Sequence, residues 1–186
     1  MTPQPIRPAY RFYSFVAGLY ISPLQSGLQT AHAVSQMHAD LIAQKMVYKI
    51  PPITEPRVIY DTWCKRDKTI IICNALNSAG VEEVYEKLKY FVNAGIELPI
   101  TIFHEDEQSL NNAATAAAVV VPEKYFNAKQ YVDFITPSWF DAIFRRKKNE
   151  SIKGWEYTSE SGEVTRYENG SVEAEFIAFL KSFRLV

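Results

Sequence analysis

Apolar positions along this chain fall into short blocks that alternate between the two-residue repeat of strands and the 3.6-residue repeat of helices. Residues 11–22 hold Phe12, Tyr13, Phe15, Val16, Leu19, Tyr20 and Ile21, a β-rich run of a length that can be buried on both faces. Pro23 and Gly27 are expected to break it, and a helical pattern follows from about Leu28 to Lys45. On that helix Val34, Met37 and Leu41 share one side, while Gln25, Gln29, His32 and Gln36 share the other, so the polar stripe is expected to face away from the core. Residues 47–56 contain Pro51, Pro52 and Pro56, which exclude a continuous helix and suggest an extended surface excursion, a flap or a connector. Thr69–Ala75 reads as a second strand. Asn77 or Ser78 should cap a helix running to about Asn93, with Val81, Val84, Tyr85, Leu88 and Phe91 or Val92 turned inward and Gly95 as its stop.

Pro99–Phe103 reads as a third strand, with His104–Gln108 as a polar loop at its carboxyl end. The run Ala116–Val121 fits a helix by its alanines and a strand by its valines; Pro122 and the short length favour the strand. Beyond Tyr125 the chain is irregular and aromatic, with Phe134, Trp139, Phe140 and Phe144 preceding the basic run Arg145–Lys148. Trp155–Ser159 and Glu163–Tyr167 flank Glu160-Ser161-Gly162 as a β-hairpin, and a last helix over 172–183 places Val172, Phe176, Phe179, Leu180 and Phe183 on one face. The order β-α-β-α-β-β predicts an α/β fold: a mixed sheet of about four strands flanked by helices over residues 1–125, with a C-terminal hairpin and helix, residues 126–186, as an appendage packed on the same domain.

Bulk composition narrows the functional classes. With 186 residues, 47% of them hydrophobic, the chain can bury a sizeable core as one ordered domain. A formal charge of −1 provides no general field for nucleic acid or an anionic membrane, so RNA contact needs a local patch. Arg145–Lys148 is the candidate for that patch, although a basic run of this length reads first as a solvated helix end. Cys64 and Cys73 are too far apart for a Cys-x-x-Cys motif and lack neighbouring histidines, which fits a reduced, cytoplasmic setting. The opening prolines and Arg7 do not match a secretory leader, and no apolar run reaches the ~18 residues that would predict a membrane span. His32, His38 and His104 lack metal-ligand spacing, and phosphate-loop and dinucleotide fingerprints are missing, so neither a metal nor a cofactor is expected. No Gly-x-Ser-x-Gly elbow occurs.

One short run carries more information. Gln25-Ser26-Gly27-Leu28-Gln29-Thr30-Ala31-His32-Ala33 follows the first strand as a glycine-bearing turn and helix opening, a junction that gathers unpaired N–H groups where ligands bind in α/β folds. Gln29, His32 and Ala33 form the pattern Gln-x-x-His-Ala. With the order of the later elements and Pro122 closing the fourth strand, residues 11–125 resemble the type II peptidyl-tRNA hydrolase family. The resemblance implies a small mixed sheet flanked by helices and a site at the end of the first strand.

The chain departs from the family at informative places. The family's lysine, four residues before the glutamine, is replaced by Gln25, and its Asp-x-Gly-x-Thr loop by His104-Glu105-Asp106-Glu107-Gln108; of its threonines only Thr115 lies near the final core strand. Replacing the lysine removes a fixed positive charge from a site that would face a phosphate or a developing oxyanion. His104 remains as a candidate general base, oriented by Glu105 or Asp106, with Gln25, Gln29, His32 and Asp106 to hold a substrate carbonyl or sugar. Three readings stand. The first is a non-catalytic or altered domain binding tRNA, other RNA or a protein partner. The second is an active hydrolase of peptidyl-tRNA or a related ester with a rearranged site. The third is a structural protein assembling through its appendage, for instance as a homodimer.

Overall fold

The computed structural model describes residues 8–18, 22–47, 55–133 and 151–185, which form two compact units, one spanning Lys124–Lys181 and one containing the rest. The larger unit is α/β, with a four-stranded mixed sheet flanked by helices. Its elements are β1 (Tyr10–Val16), α1 (Pro23–Val47), α2 (Glu55–Thr62), a π-helical turn at Trp63–Asp67, β2 (Ile70–Asn74), α3 (Ser78–Asn93), β3 (Ile100–His104), α4 (Glu107–Leu110) and β4 (Ala114–Pro122). The strand order is β2-β1-β4-β3. β1 and β2 run parallel, with Phe12 opposite Ile70 and Val16 opposite Asn74, and β4 runs antiparallel to both β1 and β3.

This order fixes where the helices go. The chain steps from β1 through α1 to one edge of the sheet, then from β2 through α3 back to the other edge, and right-handed crossovers in opposite directions place their helices on opposite faces. β4 is accordingly buried at every residue from Ala114 to Val121, with its small alanines opposite Val16, Phe15 and Ser14 of β1. The carboxyl ends of β1, β2 and β3 meet at one end of the sheet, where α1, α3 and α4 begin.

The start of α1 differs from expectation. No glycine turn separates it from Pro23: the helix begins at Pro23, and Gly27 lies within it. Proline suits a first helical position because its missing N–H would have no intrahelical partner there. Ser22 supplies the cap: its Oγ accepts from the Gln25 backbone N–H at 3.2 Å and donates to Gln25 Oε1 at 3.2 Å. The polar stripe is divided: Gln29 is buried, His32 and Gln36 are half-buried and Gln25 is exposed, while Met37 and Leu41 of the opposite side are buried as expected. Buried positions on α1 are Ser26, Gln29, Thr30, Ala33, Met37 and Leu41, so the helix packs a partly polar face on the sheet. Thr30 Oγ1 donates to Ser14 Oγ of β1 at 3.0 Å, and Thr101 of β3 donates to Asp40 at 2.6 Å.

Within 47–56, residues 48–54 lie outside the described part of the chain, and Pro56 sits in the first turn of α2, where it costs no backbone bond. α2 and the π-helical turn were not legible as helix; they bring Trp63 against Phe12, ring centroids 4.8 Å apart. The expected helix over 78–93 is present, capped by the Asn77 side chain, which accepts from Gly80 N at 2.9 Å. The chain's end returns to this unit: Phe183 meets Phe15 edge-on at 4.6 Å, and Asn74 N donates to Arg184 O at 3.2 Å on the outer edge of β2.

In the smaller unit α5 (Glu123–Phe126) leads into β5 (Lys129–Asp133), β6 (Ser151–Thr158), β7 (Val164–Glu168) and α6 (Val172–Lys181). The expected hairpin is β6 and β7, and β5 adds a third antiparallel strand. Gly154 is required where two strands meet, since a Cβ there would lie 2.1 Å from the Tyr167 carbonyl oxygen. α6 buries Ala174, Phe176, Ile177 and Leu180, with Phe176 edge-on to Tyr125 at 5.2 Å. The aromatics Phe134, Trp139, Phe140 and Phe144, and the basic run 145–148, lie outside the described residues. Among the described residues no helix is long and apolar enough to cross a membrane.

Candidate functional site

At the shared end of the sheet, α1, β3 and β4 enclose a polar cluster. Gln29 is its centre, 4% exposed, with both ends of its amide engaged. Its Nε2 donates to Glu105 Oε1 at 2.8 Å, and its Oε1 accepts from Thr115 Oγ1 at 2.8 Å. These two bonds fix the orientation of the amide, because a hydroxyl can donate to Oε1 and a carboxylate can only accept from Nε2. Thr115 is held by the register of β4, one residue before the stretch that pairs with Val16 of β1.

His32 lies one helical turn beyond Gln29 on α1, with its ring 4.6 Å from that of Phe103. Its Nδ1 is buried, makes no hydrogen bond, and stands 4.0 Å from Glu105 Oε1. The side chain as a whole is 37% exposed, so the accessible nitrogen is Nε2, whereas that of Glu105 is only 17% exposed.

The alternation of β3 explains which acidic residue joins the cluster. Thr101 and Phe103 face α1, through Asp40 and His32, and His104 is exposed. The register shifts between Phe103 and His104, and Glu105 turns back toward Gln29. Adjacent residues at a strand end point apart, so His104 shares no hydrogen bond or ion pair with the cluster.

The other two candidates have local work. Gln25 is exposed and belongs to the α1 cap. Asp106 caps α4: its carboxylate accepts from Ser109 N at 2.7 Å and Ser109 Oγ at 2.9 Å, and those donors hold its pKa below the ordinary carboxylate value. The structure thus joins Gln29, Glu105 and Thr115 by hydrogen bonds, places His32 beside them, and leaves Gln25, His104 and Asp106 with no hydrogen bond to any of the four. The position of Thr115 beside the final core strand was visible in the sequence; its bond to Gln29 was not, because the polar stripe of α1 was expected to face solvent.

Among the described residues no lysine or arginine bonds to Gln29, His32, Glu105 or Thr115. Nor, among them, does any group of three or more His, Cys, Asp or Glu side chains stand where it could hold a metal ion. The cysteines are separate, Cys64 exposed and Cys73 buried. Burial pushes the Cys73 thiol up to about 11, which keeps it protonated and unreactive near neutral pH. Among the described residues the arrangement offers an imidazole 4.0 Å from a carboxylate, with no lysine or arginine bonded to either.

Comparison with known proteins returns no matching family model and no matching curated protein.

Proposed function

We propose that this chain is a type II peptidyl-tRNA hydrolase-like domain that binds the acceptor end of tRNA at the Gln29–Glu105–His32 cluster without the family's lysine-dependent hydrolysis. The carrying observation is at position 25, where the family has its lysine: Gln25 is engaged in capping its own helix, and the described residues supply no cation in its place. α1 and α3 both begin at this end of the sheet, so the positive ends of their helix dipoles favour phosphate or sugar oxygens there. The test is a gel-shift titration with tRNA at low salt, run beside a peptidyl-tRNA cleavage assay. Binding without cleavage above background is expected. If tRNA does not bind, the proposal fails, and exposed Leu24, Leu28 and Leu76 at this end direct attention to a protein partner.

A second reading, hydrolysis through a rearranged site, is favoured by one observation: the His32 imidazole backed by Glu105 has the make-up of a general base and its orienting carboxylate. On this reading cleavage of peptidyl-tRNA is measurable and disappears in His32→Ala, while His104→Ala retains it. Cleavage that survives His32→Ala would sink it.

A further inference from the structure

From the hydrogen bonds around Gln29 we infer that Thr115 and Gln29 are positioning residues that act through Glu105 to hold the His32 proton on Nδ1, presenting the Nε2 lone pair to a ligand hydroxyl. The chain of bonds has one direction. Thr115 Oγ1 donates to Gln29 Oε1, which turns Gln29 Nε2 toward Glu105. That amide fixes Glu105 Oε1 in front of His32 Nδ1. A lone pair on a buried Nδ1 facing a carboxylate would set two acceptors against each other, whereas an N–H there is attracted to it. Closing the 4.0 Å separation to hydrogen-bond length takes a small rotation of the ring against Phe103. A neutral histidine in water prefers its proton on Nε2, so the cluster reverses the ordinary tautomer, as a carboxylate does for the histidine of a catalytic triad.

Nε2 is then an exposed acceptor in a site with no described cation, and it suits a ligand that brings its own hydrogen-bond donor. Resting on the reading of the cluster as the tRNA site, that donor is a ribose hydroxyl of the RNA 3′ end.

The decisive experiment is NMR of the full chain with nitrogen-15 in its three imidazoles, recorded where histidine is neutral, with His32 assigned by loss of its signal in His32→Gln. His32 should show the Nδ1–H pattern. It should move toward the Nε2–H pattern in Glu105→Gln and in Thr115→Val, and return in Thr115→Ser; circular dichroism identifies any variant that has lost its fold. An Nε2–H pattern in the unaltered protein, or one indifferent to both Glu105→Gln and Thr115→Val, overturns the inference. A tRNA ending in 2′,3′-dideoxyadenosine should bind about five- to tenfold more weakly than one ending in adenosine, the scale of one hydrogen bond. Equal binding refutes the hydroxyl assignment. Failure of both tRNAs to bind removes the tRNA reading and leaves the tautomer to decide the relay by itself.

Discussion

Gln29 is a polar residue at a core position, tolerated because its carbonyl and one N–H are bonded to Thr115 and Glu105. Replacing it with leucine of similar bulk would leave the Thr115 hydroxyl and a largely buried carboxylate without their partner. The cost of stranding such groups is about 1–3 kcal/mol each. Gln29→Leu is therefore expected to lower stability by about 2–4 kcal/mol in urea titration, far more than Gln36→Leu, whose amide bonds only to Asp40 one turn away on the same helix. The two cysteines give a second residue-scale test. An alkylating reagent at pH 8 should modify exposed Cys64 and spare Cys73 in the folded protein. Cys73 also carries a pH dependence with a definite sign. Its folded pKa, near 11, lies above the ordinary thiol value, so the folded state holds its proton longer than the unfolded state. Stability from this group is fully present below about pH 8.5. It is lost as pH rises toward the folded value of about 11, and Cys73→Ala should flatten that part of the stability curve.

At the scale of elements, glycines in two helices test the local readings in opposite directions. Gly27 was expected in a turn, where alanine would be strained. It lies instead in the first turns of α1, with open space where a Cβ would go. Gly27→Ala should therefore stabilise by about 0.5–1 kcal/mol, the usual gain from removing glycine from a helix. Gly80, three residues beyond the Asn77 cap of α3, would place a Cβ 2.0 Å from the Ala75 carbonyl oxygen. Backbone cannot yield at that distance, so Gly80→Ala should destabilise despite alanine's better helix propensity; thermal melts of the two variants should move in opposite directions.

The same elements show what the sequence made legible. α3 was readable in extent because a cap at Asn77 or Ser78, an apolar stripe through Val81, Val84, Leu88 and Phe91 and a stop glycine agree with one another; the structure chooses Asn77 as the cap and Phe91 as the last buried position. The period of α1 was also present, since buried positions 26, 29, 30, 33, 37 and 41 follow helical spacing. Its first half is written in serine, glutamine and threonine, whose polarity pointed outward until their partners on β1, β3 and β4 were known. The pairing of His32 with Glu105 depends on a strand register and a bulge, and neither leaves a trace in a local window.

For the whole molecule the informative segment is the last one. The chain leaves the larger unit after Glu123, forms the smaller unit, and returns at Ser182 to lay Phe183 on Phe15 and pair Arg184 with the outer edge of β2. Sequence placed Phe183 on the final helix with Phe176 and Leu180, yet α6 stops at Lys181 and Phe183 belongs to the other unit. That return covers part of an edge strand whose backbone groups would otherwise invite pairing with another chain. A chain ending at Lys181 loses the aromatic contact and the bond to Asn74 together. We expect urea unfolding of the larger unit, followed by Trp63 fluorescence with Trp139 and Trp155 replaced by phenylalanine, to fall by about 2–4 kcal/mol against the full-length chain carrying the same replacements. Phe183→Ala in the same background should account for the greater part of that loss, because ring burial outweighs one backbone bond. If the truncated chain unfolds at the same urea concentration as the full chain, the return segment contributes nothing to the unit it rests on. If it forms concentration-dependent dimers that Phe183→Ala does not, the backbone pairing at β2, rather than the ring, is what keeps the edge closed.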